Sequence, residues 1–107
     1  MKWEDLPPDV QQAAKVDDNG EVEWSAASAR AAIEALASAG AVILGLDLRD
    51  YREDGRFVEI AWTSFAPTGG SDDPQRSGAA ALAALDRPEV AELGLAGASV
   101  LVTWERA

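Results

Sequence analysis

The stretch AVILGLDLRDYREDGRFVEIAWTSF, residues 41–65, decides the fold. In its first part Val42, Leu44, Leu46 and Leu48 are apolar, while Ile43, Gly45, Asp47, Arg49 and Tyr51 between them are mixed. Alternation with a period of two marks a strand with one buried face. Val58, Ile60 and Trp62 repeat the pattern, with Phe57, Glu59, Ala61, Thr63 and Phe65 pointing the other way. The two apolar sets must share a face, and a two-residue turn at Asp54-Gly55 would set them on opposite faces. A three-residue loop Glu53-Asp54-Gly55, with Gly55 left-handed, avoids this. It pairs Leu48 with Ile60 and Leu46 with Trp62. On the far face the same register sets Arg49 across from Glu59 and Tyr51 across from Phe57, pairs worth about 0.2–1 kcal/mol each.

The elements on either side complete a domain around this hairpin. Pro7 and Pro8 keep the N-terminus irregular, with a short helical turn over 9–14. Asn19-Gly20 is a tight-turn signal between two short extended pieces, and Val22 and Trp24 share one face of the second, with Glu21 and Glu23 on the other. Ser25 is a good N-cap for a helix that Gly40 stops, and Ala29, Ile33, Leu36 and Ala32 or Ala37 form its apolar stripe. After the break at Pro67-Thr68-Gly69-Gly70-Ser71, Asp72 or Asp73 caps a second helix with Pro74 in its first turn. Leu82 and Leu85 are its expected core anchors, and Pro88 ends it near Asp86. Residues 89–93 offer one more turn. A last strand over 98–105 alternates Val100, Val102 and Trp104 against Leu101 and Thr103.

The order strand, helix, strand, strand, helix, strand predicts a single α+β domain over residues 1–107. It is an antiparallel sheet with two helices packed on one face, in the ferredoxin-like split βαβ order. A chain of 107 residues buries roughly 65% of its unfolded surface and needs no staple. The sheet face away from the helices would carry Ile43, Asp47, Arg49, Tyr51, Phe57, Glu59, Thr63 and Phe65. It is open unless Trp3 and Leu6 fold over it, and its aromatic residues on a half-polar surface suit protein binding.

Composition removes several chemistries. There is no cysteine and no histidine, which excludes thiol nucleophiles, zinc sites built on those ligands and the usual general base. No apolar run has signal-peptide or membrane-spanning length, so a soluble, cytoplasmic protein is expected. The net charge is −10, and residues 1–24 carry half of it: seven acids against Lys2 and Lys15. Such a field repels nucleic acid and anionic membrane and attracts basic proteins.

No motif supplies a catalytic site. Thr68-Gly69-Gly70-Ser71 lacks the Lys-Ser/Thr ending of a phosphate cradle, and Asp72 and Asp73 sit where the anion would bind. Asp50-Tyr51-Arg52-Glu53-Asp54-Gly55 fails as a calcium loop because Arg52 and Ala61 occupy ligand positions. Asp50 points away from Asp47 and Glu59, and Arg49 neutralises Glu59. The expectation is a non-enzyme, with no cofactor and no metal. The four tryptophans read as core or edge cover.

The run from Trp24 through the alanine-rich helix into Ala41-Val42-Ile43-Leu44-Gly45-Leu46-Asp47-Leu48, then a charged hairpin and a strand bearing Trp62, resembles the polymorphic-toxin immunity protein forty family of bacteria. The likeness covers about residues 20–105. Gly45, Asp47 and Trp62 match the family's positions. Leu46 replaces its second glycine, and Glu59-Ile60-Ala61 stands where Tyr-Asp-Asn commonly precedes the tryptophan.

The resemblance implies a bacterial antidote that binds and neutralises a cognate toxin. The acidity suits a basic toxin, such as a nuclease. The candidate partner-binding residues are Asp47, Asp50, Tyr51, Glu53 and Asp54 at the hairpin, with Asp17, Asp18, Glu21 and Glu23 near them. The alternative is an oligomerising or interaction module without a toxin partner, pairing as a homodimer through its open sheet or an edge strand.

Overall fold

Ser25, Gly40 and Asp73 set the frame by deciding where the helices begin and end. Ser25 Oγ accepts the Ser28 N–H at 3.3 Å, and Gly40 turns the chain at φ 91° into the central strand. Asp73 Oδ1 accepts the Gln75 N–H at 2.9 Å, ahead of Pro74 in the first helical turn. The computed structural model describes residues 2–51, 54, 56–64, 73–87 and 98–106, with the backbone alone at 51, 57–64 and 106. After a 3-10 turn (Trp3–Asp5) come α1 (Pro8–Ala13), β1 (Lys15–Val16), β2 (Val22–Ser25) and α2 (Ala26–Ser38). Then follow β3 (Ala41–Tyr51), β4 (Phe57–Ser64), α3 (Pro74–Leu85) and β5 (Ala98–Arg106).

The fold is the expected α+β domain. The strands lie in the order β1-β2-β5-β3-β4, and every neighbouring pair is antiparallel. The two split βαβ units interlock, with β5 between β2 and β3, and β3 between β5 and β4. One apolar core joins α2, α3 and the sheet through Ala29, Ala32, Ile33, Leu36, Ala81, Ala84, Trp24, Ile43, Leu46, Leu48, Val100 and Val102. Burying a leucine or isoleucine here contributes about 1.5–3 kcal/mol each. Residues 65–72 and 88–97, with the expected loop and the expected further turn, lie outside the described residues, as do Arg52, Glu53 and Gly55.

The hairpin register holds near the turn and slips by one residue beyond it. Leu48 pairs with Ile60, Arg49 with Glu59 and Tyr51 with Phe57, as expected. Leu46, however, pairs with Thr63 and not with Trp62, because β4 carries an extra residue where Ala61 and Trp62 stand against Asp47. A second bulge lies in β3 itself. Ile43 pairs with Trp104 and Gly45 with Thr103, which leaves Leu44 as the extra residue. The bulge reverses the alternation: Ala41 and Ile43 face the core before it, Leu46 and Leu48 after it. Ile43, expected on the open face, is therefore a core residue, and Ser77 Oγ of α3 accepts its N–H at 3.0 Å.

The N-terminal segment goes to the helix side, not over the opposite sheet face. Leu6 and Val10 are buried with Trp24 in the core, and Trp24 Nε1 donates to the Val10 carbonyl at 2.9 Å. Trp3, Trp24 and Trp104 meet there, with ring centroids 6.1–6.5 Å apart.

Helix α3 also packs differently from its expected anchors. Leu82 and Leu85 are half-buried, and the buried face is Ser77, Gly78, Ala81 and Ala84. The cause is closeness: a Cβ placed on Gly78 would lie 2.8 Å from the Ala37 Cβ of α2. No leucine fits at that crossing. Gly78→Ala gains helix propensity of about 1 kcal/mol. It also forces two rigid Cβ atoms together, an overpacking cost of about 1–3 kcal/mol. The expected outcome is a lower thermal midpoint for Gly78→Ala, restored when Ala37→Gly is added. A midpoint above wild type in the single variant would show that the helices separate freely.

Candidate functional site

Arg49 organises the face away from the helices. Leu48 belongs to the helix-side core, so its neighbour in the strand projects to the other side. Its side chain extends from β3 past the small Ser99 of β5 toward the β1–β2 hairpin. Nη1 lies 2.9 Å from Glu23 Oε2 and 3.5 Å from Asp17 Oδ2, and Nη2 lies 3.4 Å from Glu21 Oε1. Two steps across a sheet is about 9.5 Å, a gap that an arginine and a glutamate span together. Lys15, paired with Glu23 across β1 and β2, brings Nζ to 4.0 Å from Glu23 Oε1.

Burial divides this group into a centre and a rim. Glu23 is 1% exposed and Arg49 5%, while the side chains of Asp17 and Glu21 are 27% and 41% exposed. Leu101, which pairs with both Glu23 and Asp47, is buried as well. The face expected to be open is thus closed over its centre. Withdrawing a charge from water costs several kcal/mol, and the short Arg49–Glu23 contact, flanked by Asp17 and Glu21, offsets that cost.

Asp17 is fixed from both sides. Its Oδ1 accepts the N–H groups of Asn19 and Glu21, each at 2.9 Å, and Gly20 closes the turn at φ 79°. Desolvation acts to raise the Asp17 pKa. The Glu21 and Asn19 N–H groups outweigh it together with the Arg49 guanidinium, and hold the carboxyl below its usual value. A lowered carboxyl pKa adds stability above the unfolded-chain value of about 3.9, lost as pH falls through the folded value. Unfolding measured against pH should therefore show wild type more stable than Asp17→Asn near neutrality, with the gap closing below about pH 4. A gap that persists unchanged in acid would remove the charge from this account.

The candidate residues do not form one patch. Asp17, Glu21 and Glu23 converge on Arg49, and Asp18 is exposed in the adjoining turn. Glu23 is corrected from a partner contact to an internal one, because its carboxylate is buried against Arg49. Asp47 is half-buried on the Arg49 face. Asp50, half-buried, pairs with core-facing Ala98 and stands on the helix side, apart from the others. Asp54 is exposed and accepts the Arg56 N–H at 3.0 Å. The Tyr51 side chain and Glu53 lie outside the described residues. Arg49, expected to answer Glu59, meets the β1–β2 acids as well as standing opposite Glu59 in the ladder.

No family model, curated protein or solved structure matches this chain. Function must therefore be argued from the residues. None of the described helices is long and apolar enough to cross a membrane. Among the described residues no three carboxylates are grouped to hold a metal ion.

A second feature lies on the opposite side of the molecule. Between α1 and α2 runs a surface groove of about 650 Å³, lined by the acids Asp5, Asp9 and Glu34 and by apolar residues that include Val10, Ala31 and Ala35. The sequence offered little sign of it. Asp9 and Glu34 are distant in the chain, and only the docking of α1 on α2 brings them to one hollow.

Proposed function

We propose that this chain is an immunity protein: a binding domain that occupies and neutralises a basic protein toxin. The observation that carries the reading is the unequal spread of charge on a domain of net charge −10. Acids at the surface outnumber the cations available to answer them. Asp18 is exposed in a turn held rigid by Asp17 and Gly20, and Glu21 stands at the rim beside it. A negative surface on a rigid scaffold speeds encounter with a basic partner and loses little entropy on docking.

The resemblance over residues 20–105 supports the same reading through Gly45, Asp47 and Trp62. A nuclease is the toxin class that such a surface suits best, since its substrate site is built for phosphate. The antidote then acts in the cytoplasm by one-to-one binding and turns over no substrate. The deciding experiment mixes the purified chain with the toxin encoded beside its gene. Toxin activity should disappear at equal molar amounts. Full activity with the chain in excess would overturn the reading.

A further inference from the structure

We propose that the groove between α1 and α2 is the seat of a lysine- or arginine-bearing segment of the partner protein. For the partner's identity this rests on the reading above. Three observations carry it. The groove is concave, and its volume of about 650 Å³ is enough for several side chains. Its apolar lining is small, Ala31 and Ala35 standing one turn apart on α2 with Val10 also in the lining, so a segment can lie close against it.

Asp5 Oδ2 accepts the Lys2 N–H at 2.8 Å, and among the described residues no ion pair reaches Asp9 or Glu34. Among the described residues, Arg30 pairs with Asp86, Arg56 with Asp54, Arg76 with Asp73, and Arg49 and Lys15 with the β1–β2 acids. None of these cations reaches Asp5, Asp9 or Glu34. By contrast, Asp17, Glu21 and Glu23 direct their charge onto Arg49, and the sheet face is closed at its centre. Asp9 and Glu34 thus place negative charge beside small apolar side chains against which the methylene stems of Lys and Arg can lie. That combination fits a cationic protein segment better than a small anion or a nucleic acid.

A lysine-rich helical peptide titrated into the isotope-labelled full chain, followed by amide NMR, provides the test. Shifts should centre on Val10, Ala31, Ala35 and Ser38. The charge-reversed Asp9→Lys/Glu34→Lys chain should bind the peptide at least about tenfold more weakly, a difference of about 1.4 kcal/mol. Both positions are exposed, so the variant keeps its fold, which circular dichroism verifies. Asp18→Lys, away from the groove, should leave peptide binding unchanged. Shifts confined to residues 17–21, or equal affinity in the double variant, would overturn the proposal. Toxin assays separate the two claims. If the double variant neutralises the toxin as well as wild type, the groove falls and the antidote reading stands. If wild type binds the peptide in the groove yet leaves the toxin active, the groove stands and the antidote reading falls.

Discussion

Replacing Arg49 with methionine should lower the unfolding free energy by about 3–5 kcal/mol, the cost of breaking a buried ion pair from one side. The substitution keeps most of the side-chain volume but leaves Glu23, 1% exposed, without its partner at 2.9 Å. It also removes the positive charge between Asp17 and Glu21, which then repel each other. A domain of this size has a total stability of about 5–15 kcal/mol, so the variant sits near the edge of folding. The double change Arg49→Met/Glu23→Leu should recover most of the loss, because an apolar pair carries no stranded charge. Urea unfolding midpoints at neutral pH measure both. A single variant within about 1 kcal/mol of wild type would place the pair in solvent.

Trp24→Ala should be of similar size, about 3–5 kcal/mol for removing a buried aromatic residue. Trp24 is 1% exposed and joins three parts of the molecule: the core under α2, the Val10 carbonyl of α1, and the rings of Trp3 and Trp104. Trp24→Phe separates these contributions. It keeps an aromatic ring in the core but loses the hydrogen bond to Val10, worth about 1 kcal/mol. The loss falls on the N-terminal segment, so limited proteolysis should cut Trp24→Phe within residues 2–14 while the sheet and α2 stay intact. Equal protection of that segment in wild type and Trp24→Phe would show that the indole N–H does not hold it. This matters for the groove, since α1 forms one of its walls.

The elements were legible in the sequence because their punctuation is local. Ser25, Gly40, Asp73 and Pro74 act within a few residues, and each does in the structure what its chemistry requires. The hairpin register was legible as far as Leu48 and Ile60, where alternation is unbroken. The two bulges were not. Leu44 is apolar and reads as one more step of the pattern, so nothing in composition betrays that it is the extra residue. The same holds for Gly78, whose small size reads as a weakness in a helix until Ala37 is seen against it.

The site was less legible, because charge says little about direction. Arg49 and Glu23 are charged residues of two different strands, and alternation places each on the side of its strand away from the core residues Leu48 and Trp24. It does not say that β5 would fall between their strands and bring them together. Acids that look alike in the chain thus separate, some answering Arg49 and others, such as Asp9 and Glu34, lining the groove on the other side.

The indole trio gives the protein an optical signature. Trp3, Trp24 and Trp104 lie near enough for their excited states to couple, and one of them sits on the N-terminal segment itself. Near-ultraviolet dichroism therefore reports whether that segment is seated without any added label, and a partner that lifts α1 to enter the hollow beside it would announce itself as a change in that signal.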